Sequence, residues 1–219
     1  MDTKTFISGL KQDLSKLLLR LKPNESLVCE TSGSLKVTDL LKAALKNEME
    51  ATLVGAKWVT NTKETFCTLA FAKQVGDEAK HYRMIEQRLL ELGEPTENFD
   101  PLAPKISPLT EYLLGIESTL EKAASGPFAR EAIAVFKNAQ FIEHLKEMDD
   151  TQTAELYENT IQKDEAYHHQ LGESLLLRLV HTEADQKIVE AAVEKTLGLA
   201  EELTRLAAEK KGILRGPGC

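Results

Sequence analysis

The chain has 219 residues, a length that favours one well-buried core over two. Its formal net charge is -8 and no dense run of Lys and Arg stands out, so we expect no nucleic-acid partner. No apolar stretch approaches the roughly 18 residues needed to span a bilayer, and the N-terminus lacks the residue order of a signal peptide. Three scattered cysteines, Cys29, Cys67 and Cys219, suit a reducing compartment, so we expect a cytoplasmic protein without a disulfide framework.

The first half of the chain has the periodicity of helices. Apolar residues at helical spacing predict a preliminary helix over residues 5–21. Further on, Thr38–Asp39 provides an N-cap for a long helix that runs to about Thr60, and a second long helix covers about Lys63–Leu92. The turn between the two long helices is so short that they must fold back on each other as an antiparallel hairpin.

A proline-rich segment separates this hairpin from the second half. Residues 93–108 contain four prolines and predict a long irregular crossover: Pro95, Pro101, Pro104 and Pro108. Beyond it, periodicity predicts four further helices: 109–124, 128–148, 153–180 and 183–211. Gly126–Pro127 predicts a break between the first two of these helices, and a short turn at Asp149–Thr151 makes the next pair a second hairpin.

These elements predict an all-α chain that forms one domain over residues 1–219. Its core is a helical bundle at about residues 38–182. The helices at residues 5–21 and 183–211 are additions at its two ends. The amphipathic C-terminal helix either packs on the bundle or forms the seam of a homodimer, and the sequence leaves both alternatives open.

The two hairpins share a repeated motif. Residues 77–81, Asp-Glu-Ala-Lys-His, match residues 164–168, Asp-Glu-Ala-Tyr-His, each midway along the later helix of its hairpin. Residues three apart lie on the same side of a helix, and both glutamates fall on apolar stripes. Burying these groups without partners is costly, whereas a pair of divalent cations satisfies carboxylates and imidazoles together. The motif therefore predicts a two-metal site with four ligands: Glu78, His81, Glu165 and His168.

A two-metal carboxylate site needs one further glutamate from each partner helix. Glu48 lies on the apolar side of the first long helix at a matching depth, whereas Glu50 falls nearly opposite and is predicted to face solvent. On the third bundle helix, the position that matches Glu48 falls within residues 135–139, where no carboxylate stands. Glu131 lies near the apolar direction of this helix and is preferred. Glu143, rotated by roughly 120° from that direction, is the alternative.

The fourth bundle helix carries a further acidic residue. Glu158 lies two turns before Glu165 and is predicted to lie on the same inward face. There it would accept a hydrogen bond from a ligating histidine or line a substrate channel.

The order of these residues resembles the ferritin-like di-iron carboxylate superfamily over about residues 38–180. The resemblance implies a ferritin-like four-helix bundle with a long crossover and extra N- and C-terminal helices. It also implies a centre of two iron ions, with manganese as an alternative metal, held by six ligands: Glu48, Glu78, His81, Glu131, Glu165 and His168. The doubled motif is specific for the superfamily and does not choose a member.

The resemblance implies an oxidoreductase that activates dioxygen to hydroxylate or oxidise an organic substrate, with a reductase or other electron donor as partner. A rubrerythrin-like peroxidase is disfavoured because the chain lacks the four cysteines of a rubredoxin module. A ferritin cage is disfavoured because cage subunits are typically shorter. The alternative is a non-catalytic or degenerate ferritin-like protein that binds metal or acts as a scaffold. The direction of Glu131 and Glu143, and an apolar cavity at the site, discriminate the two hypotheses.

Overall fold

The computed structural model describes residues 1–22, 36–103, 105–213 and 215–218, without the side chains of Lys210 and Lys211. Within these ranges the chain is helical and contains no strand, which confirms the all-α prediction. None of the helices in these ranges is long and apolar enough to cross a membrane. Cys29, Cys219 and Pro104 lie outside the described residues, so the predictions made for them have no structural counterpart.

The N-terminal helix, α1 (Thr3–Leu17), continues as a single 3-10 turn (Leu18–Leu21). Asp2 caps it by accepting a hydrogen bond from the backbone nitrogen of Thr5 at 3.0 Å. One face of α1 is buried in the apolar core through Phe6, Ile7 and Leu14. The structure thus places a helix where residues 5–21 predict one, with a tighter last turn.

Helices α2 (Val37–Thr60) and α3 (Thr65–Glu91) form the predicted first hairpin and pack along each other. Asp39 lies in the first turn of α2, where its carboxylate accepts a hydrogen bond from the backbone nitrogen of Lys36. The two helices approach closely at Gly55, because a Cβ atom there would lie 2.6 Å from Val75 Cγ2. Beyond α3, Gly93 adopts a left-handed φ of 80°, which ends the helix.

The crossover after α3 leads into α4 (Pro108–Gly115), which Ser107 caps through its side chain. Glu50 of α2 fixes this entry, since its carboxylate accepts hydrogen bonds from Ser107 N at 3.0 Å and Thr110 Oγ1 at 2.6 Å. The prediction that Glu50 faces solvent was wrong, and its residue is 3% exposed. A helical wheel of α2 does not show that the crossover covers this side of the helix.

The next long helix is continuous, so the predicted break at Gly126–Pro127 was wrong. It comprises α5 (Thr119–Ala123), a π-helical segment (Ala124–Arg130) and α6 (Glu131–Glu147). The wider π turns absorb Pro127, which lacks the backbone N–H of a regular helical hydrogen bond. The break lies instead at residues 116–118, within the predicted helix 109–124, where Ser118 caps α5.

The last predicted bundle helix also contains a π-helical segment. It runs through α7 (Thr151–Leu156), the π segment (Tyr157–Ile161) and α8 (Gln162–Leu179). A Cβ atom on Gly172 of α8 would lie 2.4 Å from the backbone nitrogen of Phe128, so α8 lies directly against the first π segment. Only a glycine allows this approach between the two helices.

The C-terminal helix, α9 (Glu183–Lys211), starts at a capping box formed by Thr182 and Asp185. Its apolar face is buried in the same core cluster as α1, through Val189, Val193, Leu197 and Ala200. This face therefore packs within the chain. The homodimer stays a prediction.

Two apolar clusters lie at different levels along the long helices. On α2, Leu45 belongs to one cluster and Val54 to the other. On α3, Phe71 and Ile85 are divided in the same way. Glu48 of α2 and Glu78 and His81 of α3 are buried between the two levels, so the fold encloses a polar layer between two apolar ones.

Candidate metal centre

Six buried acidic and imidazole side chains meet in the polar layer. They come from α2, α3, α6 and α8, each is at most 5% exposed, and they are the six predicted ligands: Glu48, Glu78, His81, Glu131, Glu165 and His168. Glu131 points into the layer, whereas Glu143, the alternative on the same helix, is exposed. The structure therefore brings together the six preferred residues.

The six side chains form two overlapping groups of four. Site A consists of Glu48, Glu78, His81 and Glu165, and site B consists of Glu78, Glu131, Glu165 and His168. Within each group, one ligand atom from every member lies within 4.8 Å of the others. Glu78 and Glu165 belong to both sites, as expected of carboxylates that bridge two metals.

Both imidazoles direct Nδ1 towards the carboxylates. His81 Nδ1 lies 3.5 Å from Glu48 Oε2 and 3.5 Å from Glu165 Oε1. His168 Nδ1 lies 3.1 Å from Glu165 Oε2. Nδ1 is therefore the atom of each histidine that a metal would use.

The opposite nitrogen of each imidazole contacts an aspartate of the other motif. His81 Nε2 lies 3.1 Å from Asp164 Oδ2, and His168 Nε2 lies 2.9 Å from Asp77 Oδ2. Such a carboxylate fixes the orientation and tautomer of a metal-binding histidine. The sequence prediction missed both aspartates, although the signal was present, because each copy of the repeated motif begins with Asp.

Lysines of α3 hold these two aspartates as carboxylates. Lys73 Nζ lies 2.6 Å from Asp77 Oδ2, and Lys80 Nζ lies 2.6 Å from Asp164 Oδ2. Burial by itself raises the pKa of each aspartate, but the lysine and histidine contacts outweigh burial and lower both pKa values. Each carboxylate can thus accept a hydrogen bond from Nε2–H, which leaves Nδ1 facing the centre.

Burial raises the pKa of two of the glutamates. Burial raises the pKa of Glu48 to about 8, and the nearby charge of Glu78 adds to this effect. Burial also raises the pKa of Glu131 well above its ordinary value. Burial therefore opposes simultaneous ionisation of all four carboxyl groups in this polar layer.

For the two histidines, the effect of neighbouring carboxylates on the pKa outweighs the effect of burial. Burial alone lowers an imidazole pKa, but contact with Glu165 and the charges of Glu131 and Glu78 raise the pKa of His168 to about 10. The pKa of His81 is raised further by its three neighbouring carboxylates. Protons thus supply the positive charge that metal ions would supply, so that metal binding would release them.

Three buried polar atoms in the centre lack a hydrogen-bond partner among the described residues: Glu78 Oε2, His81 Nδ1 and Glu131 Oε2. An unsatisfied buried polar group costs about 1–3 kcal/mol. All three atoms belong to the two groups of ligands, and oxygen and imidazole nitrogen are donors that divalent transition metals accept. The residues present therefore fit a pair of metal ions.

Further polar groups surround the two sites. At site B, Gln74 Nε2 donates to Glu131 Oε1 at 2.6 Å, and Arg130 Nη1 lies 2.8 Å from the same oxygen. Near site A, the hydroxyl of Tyr157 is buried and has no hydrogen-bond partner within the described part of the chain. Its pKa is raised by burial and by the charges of Glu48 and Glu165. The sequence prediction missed these three residues, since none belongs to the repeated motif.

The prediction that Glu158 points inward was wrong. Its side chain is 52% exposed and forms an ion pair with Lys146 at 3.1 Å. The π segment Tyr157–Ile161 places an extra residue between Glu158 and Glu165. One extra residue rotates the preceding turn by about 100° relative to a regular helix, which carries Glu158 away from the centre.

A small cavity lies beside site B. Its volume is about 10 Å³, and its lining includes Trp58, Gln74, Gly126, Arg130 and Glu131. This space is about the size of one water molecule. A larger groove of about 580 Å³ lies between α3 and α7, where Lys80, Met84 and Leu156 are among its lining residues.

Comparison of the chain with protein-family models, with curated proteins and with solved structures gives no match.

Proposed function

We propose that the chain is a dinuclear metal protein built on a ferritin-like four-helix bundle. The bundle would consist of α2, α3, the continuous helix ending in α6, and the continuous helix ending in α8. Three observations support this arrangement: α2 packs along α3, α6 packs with α8, and α3 contacts α8. Each of the four helices also contributes at least one candidate ligand.

The observation that carries the proposal is the pair of four-donor groups that share Glu78 and Glu165. Two divalent cations have the charge that balances four ionised glutamates. Each cation would have one imidazole, one terminal carboxylate and two shared carboxylates. This donor set favours iron or manganese.

The proposed activity is that of a di-iron, or iron and manganese, oxidoreductase that uses dioxygen to oxidise an organic substrate. When bound, the metal pair would supply the redox chemistry and the open positions for dioxygen. Asp77 and Asp164 hold the two imidazoles in place, and the apolar clusters exclude water from the layer between them. The buried Tyr157 hydroxyl would donate a hydrogen bond beside site A.

Two observations favour a second candidate function, a non-catalytic or degenerate metal-binding protein or scaffold. The cavity beside Glu131 has a volume of about 10 Å³, which holds a water or a diatomic molecule but not an organic substrate. A cationic side chain, Arg130, also lies against Glu131 within the centre. On this alternative, the protein would bind metal without oxidising a substrate.

Iron loading followed by exposure to dioxygen tests the proposed activity. The chain would be loaded anaerobically with ferrous iron, freed of excess metal and mixed with dioxygen while near-ultraviolet absorbance and dioxygen consumption are recorded. We expect about two irons per chain, rapid oxidation, and repeated cycles after chemical reduction. A Glu78→Ala/Glu165→Ala double variant should lose the iron and the absorbance change, whereas the exposed-site control Glu143→Ala should keep both.

The outcomes separate the two candidate functions. Iron that binds but neither oxidises nor cycles would favour the metal-binding or scaffold function. Failure of the wild-type chain to retain iron, with helical content intact, would contradict both metal-binding proposals.

A further inference from the structure

The two metal positions differ in one charged group. Arg130 lies beside site B, and its Nη1 is 2.8 Å from Glu131 Oε1 and 4.0 Å from Glu78 Oε1. The guanidinium therefore contacts the carboxylate that belongs to site B alone and reaches a carboxylate that both sites share. In site A, the corresponding unshared carboxylate, Glu48, faces the imidazole of His81 instead.

The Arg130–Glu131 pair is deeply buried. The arginine side chain is 10% exposed and the glutamate side chain is 0% exposed. Gln74 Nε2 donates to the same oxygen, Glu131 Oε1, at 2.6 Å. Charge-assisted hydrogen bonds of this kind are stronger than neutral ones, and burial makes their loss more costly.

The π-helical segment explains how both neighbours face one layer. Arg130 ends this segment and Glu131 begins α6. Consecutive residues of a regular helix point about 100° apart, so they do not ordinarily share a site. The backbone of Phe128, in the same segment, lies against Gly172 of α8, which fixes the position of the segment.

We propose that Arg130 makes the two metal positions unequal, so that site A fills first and site B fills only against the guanidinium charge. This inference rests on the proposed dinuclear centre. A cation entering site B must either displace Arg130 from Glu131 or lie close to its positive charge, and both cost affinity. A cation entering site A meets no such requirement at Glu48.

Charge counting leads to the same order. With both imidazoles neutral, four ionised glutamates, one divalent cation and Arg130 have a net charge of minus one, and a second divalent cation changes this to plus one. The first ion thus compensates an excess of negative charge, and the second creates an excess of positive charge. A hydrogen bond to a charged group contributes about 1.5–3 kcal/mol, which corresponds to roughly 10- to 100-fold in affinity.

Stepwise titration with Mn²⁺ tests this order without any measurement of enzymatic activity. Bound and free Mn²⁺ would be counted by electron paramagnetic resonance, which also distinguishes an isolated ion from a coupled pair. We expect wild-type protein to bind one isolated ion first and a second ion with roughly 10- to 100-fold lower affinity. In Arg130→Met, the difference between the two affinities should shrink by a similar factor.

Three further variants control the titration. Arg88→Met removes another buried arginine, whose Nη2 lies 3.0 Å from Asp150 Oδ1 and which is outside the centre. This variant should leave the difference between the two Mn²⁺ affinities unchanged. Glu131→Gln retains Arg130 and should lose the weak step while keeping the tight one. Glu48→Gln should weaken the tight step. Circular dichroism would establish that each variant is folded, and the Glu131→Gln result decides the order of filling even if Arg130→Met does not fold.

Distinct results would overturn the inference and the proposed function. Unequal filling would be overturned if the two Mn²⁺ affinities differed by the same factor in wild type and in folded Arg130→Met. Loss of the tight step in Glu131→Gln would overturn it as well. Either result would leave the dinuclear centre intact. Absence of Mn²⁺ binding in folded wild-type protein would overturn both.

Discussion

The crossed contacts between the two motifs lead to a site-specific prediction. Asp77→Asn keeps the shape of the side chain but removes the charge that faces His168 Nε2 at 2.9 Å. Loss of such a contact to a metal-binding histidine typically reduces metal affinity about 10- to 100-fold, or about 1.4–2.7 kcal/mol. Because His168 belongs to site B, this position should be weakened selectively.

The matching substitution on the other motif should have the reciprocal effect. Asp164 faces His81 Nε2 at 3.1 Å, so Asp164→Asn should weaken site A. Competition against a chelator of known affinity, with Mn²⁺ as the probe, measures both steps for each variant. Lys73→Met is the matched control, because it removes the lysine partner of Asp77 but leaves the carboxylate on His168.

Two results would refute the reasoning. Wild-type affinity at both steps in Asp77→Asn would show that the aspartate does not orient His168. Weakening of site A by Asp77→Asn, or of site B by Asp164→Asn, would contradict the crossed arrangement. A Lys73→Met variant as weak as Asp77→Asn would attribute the effect to the lysine.

Three further predictions concern stability. Gly172→Ala, which places a Cβ 2.4 Å from the backbone of the first π segment, should lower the free energy of unfolding by about 1–3 kcal/mol in urea titrations. Gly198→Ala, where a Cβ meets nothing within 4 Å, should raise the free energy of unfolding by about 0.5–1 kcal/mol. Equal losses of stability in the two variants would contradict close packing at Gly172. Glu50→Ala should lower the free energy of unfolding by about 2–4 kcal/mol, because Ser107 N and Thr110 Oγ1 lose their acceptor. The exposed-site control Glu143→Ala should lower it by less than about 0.5 kcal/mol. The metal-free protein should melt at progressively lower temperature as pH rises from about 6.5 towards 10. The folded pKa of His168, about 10, lies above the ordinary histidine value of 6.5, so the folded state binds more protons over this window, and a rising melting temperature would contradict the assignment.

The inner residues of the centre were predictable from the sequence because they lie on regular parts of helices. Glu48 could be placed by counting about 100° per residue, and the repeated motif supplied Glu78, His81, Glu165 and His168. Burial then follows from the apolar residues on the same stripes. The aspartates that contact the imidazoles were equally visible in the repeat, but their role depends on the contact between α3 and α8.

Regular periodicity fails at the two π segments, and two of the wrong predictions follow from this. Gly126–Pro127 has the composition of a helix break, yet the chain passes through it as π turns packed on α8. Glu158 falls on the inward face only if the helix is regular up to Glu165. The burial of Glu50 could not be predicted from α2, because it depends on a crossover distant in sequence.

The position of Arg130 in the centre could not be predicted from the sequence. A positive charge next to a predicted ligand ordinarily points to another side of the helix. The π segment places both Arg130 and Glu131 in the polar layer, and only the three-dimensional arrangement reveals their ion pair. This arginine distinguishes the centre from a symmetric pair of motifs.

The central claim is that two metal ions share Glu78 and Glu165. Anomalous diffraction from crystals of the chain loaded with Mn²⁺ at saturating concentration tests it most directly. We expect two anomalous peaks in the polar layer, one beside Glu48 and His81 and the other beside Glu131 and His168. Crystals of the loaded protein with no peak among these six side chains would overturn the dinuclear centre.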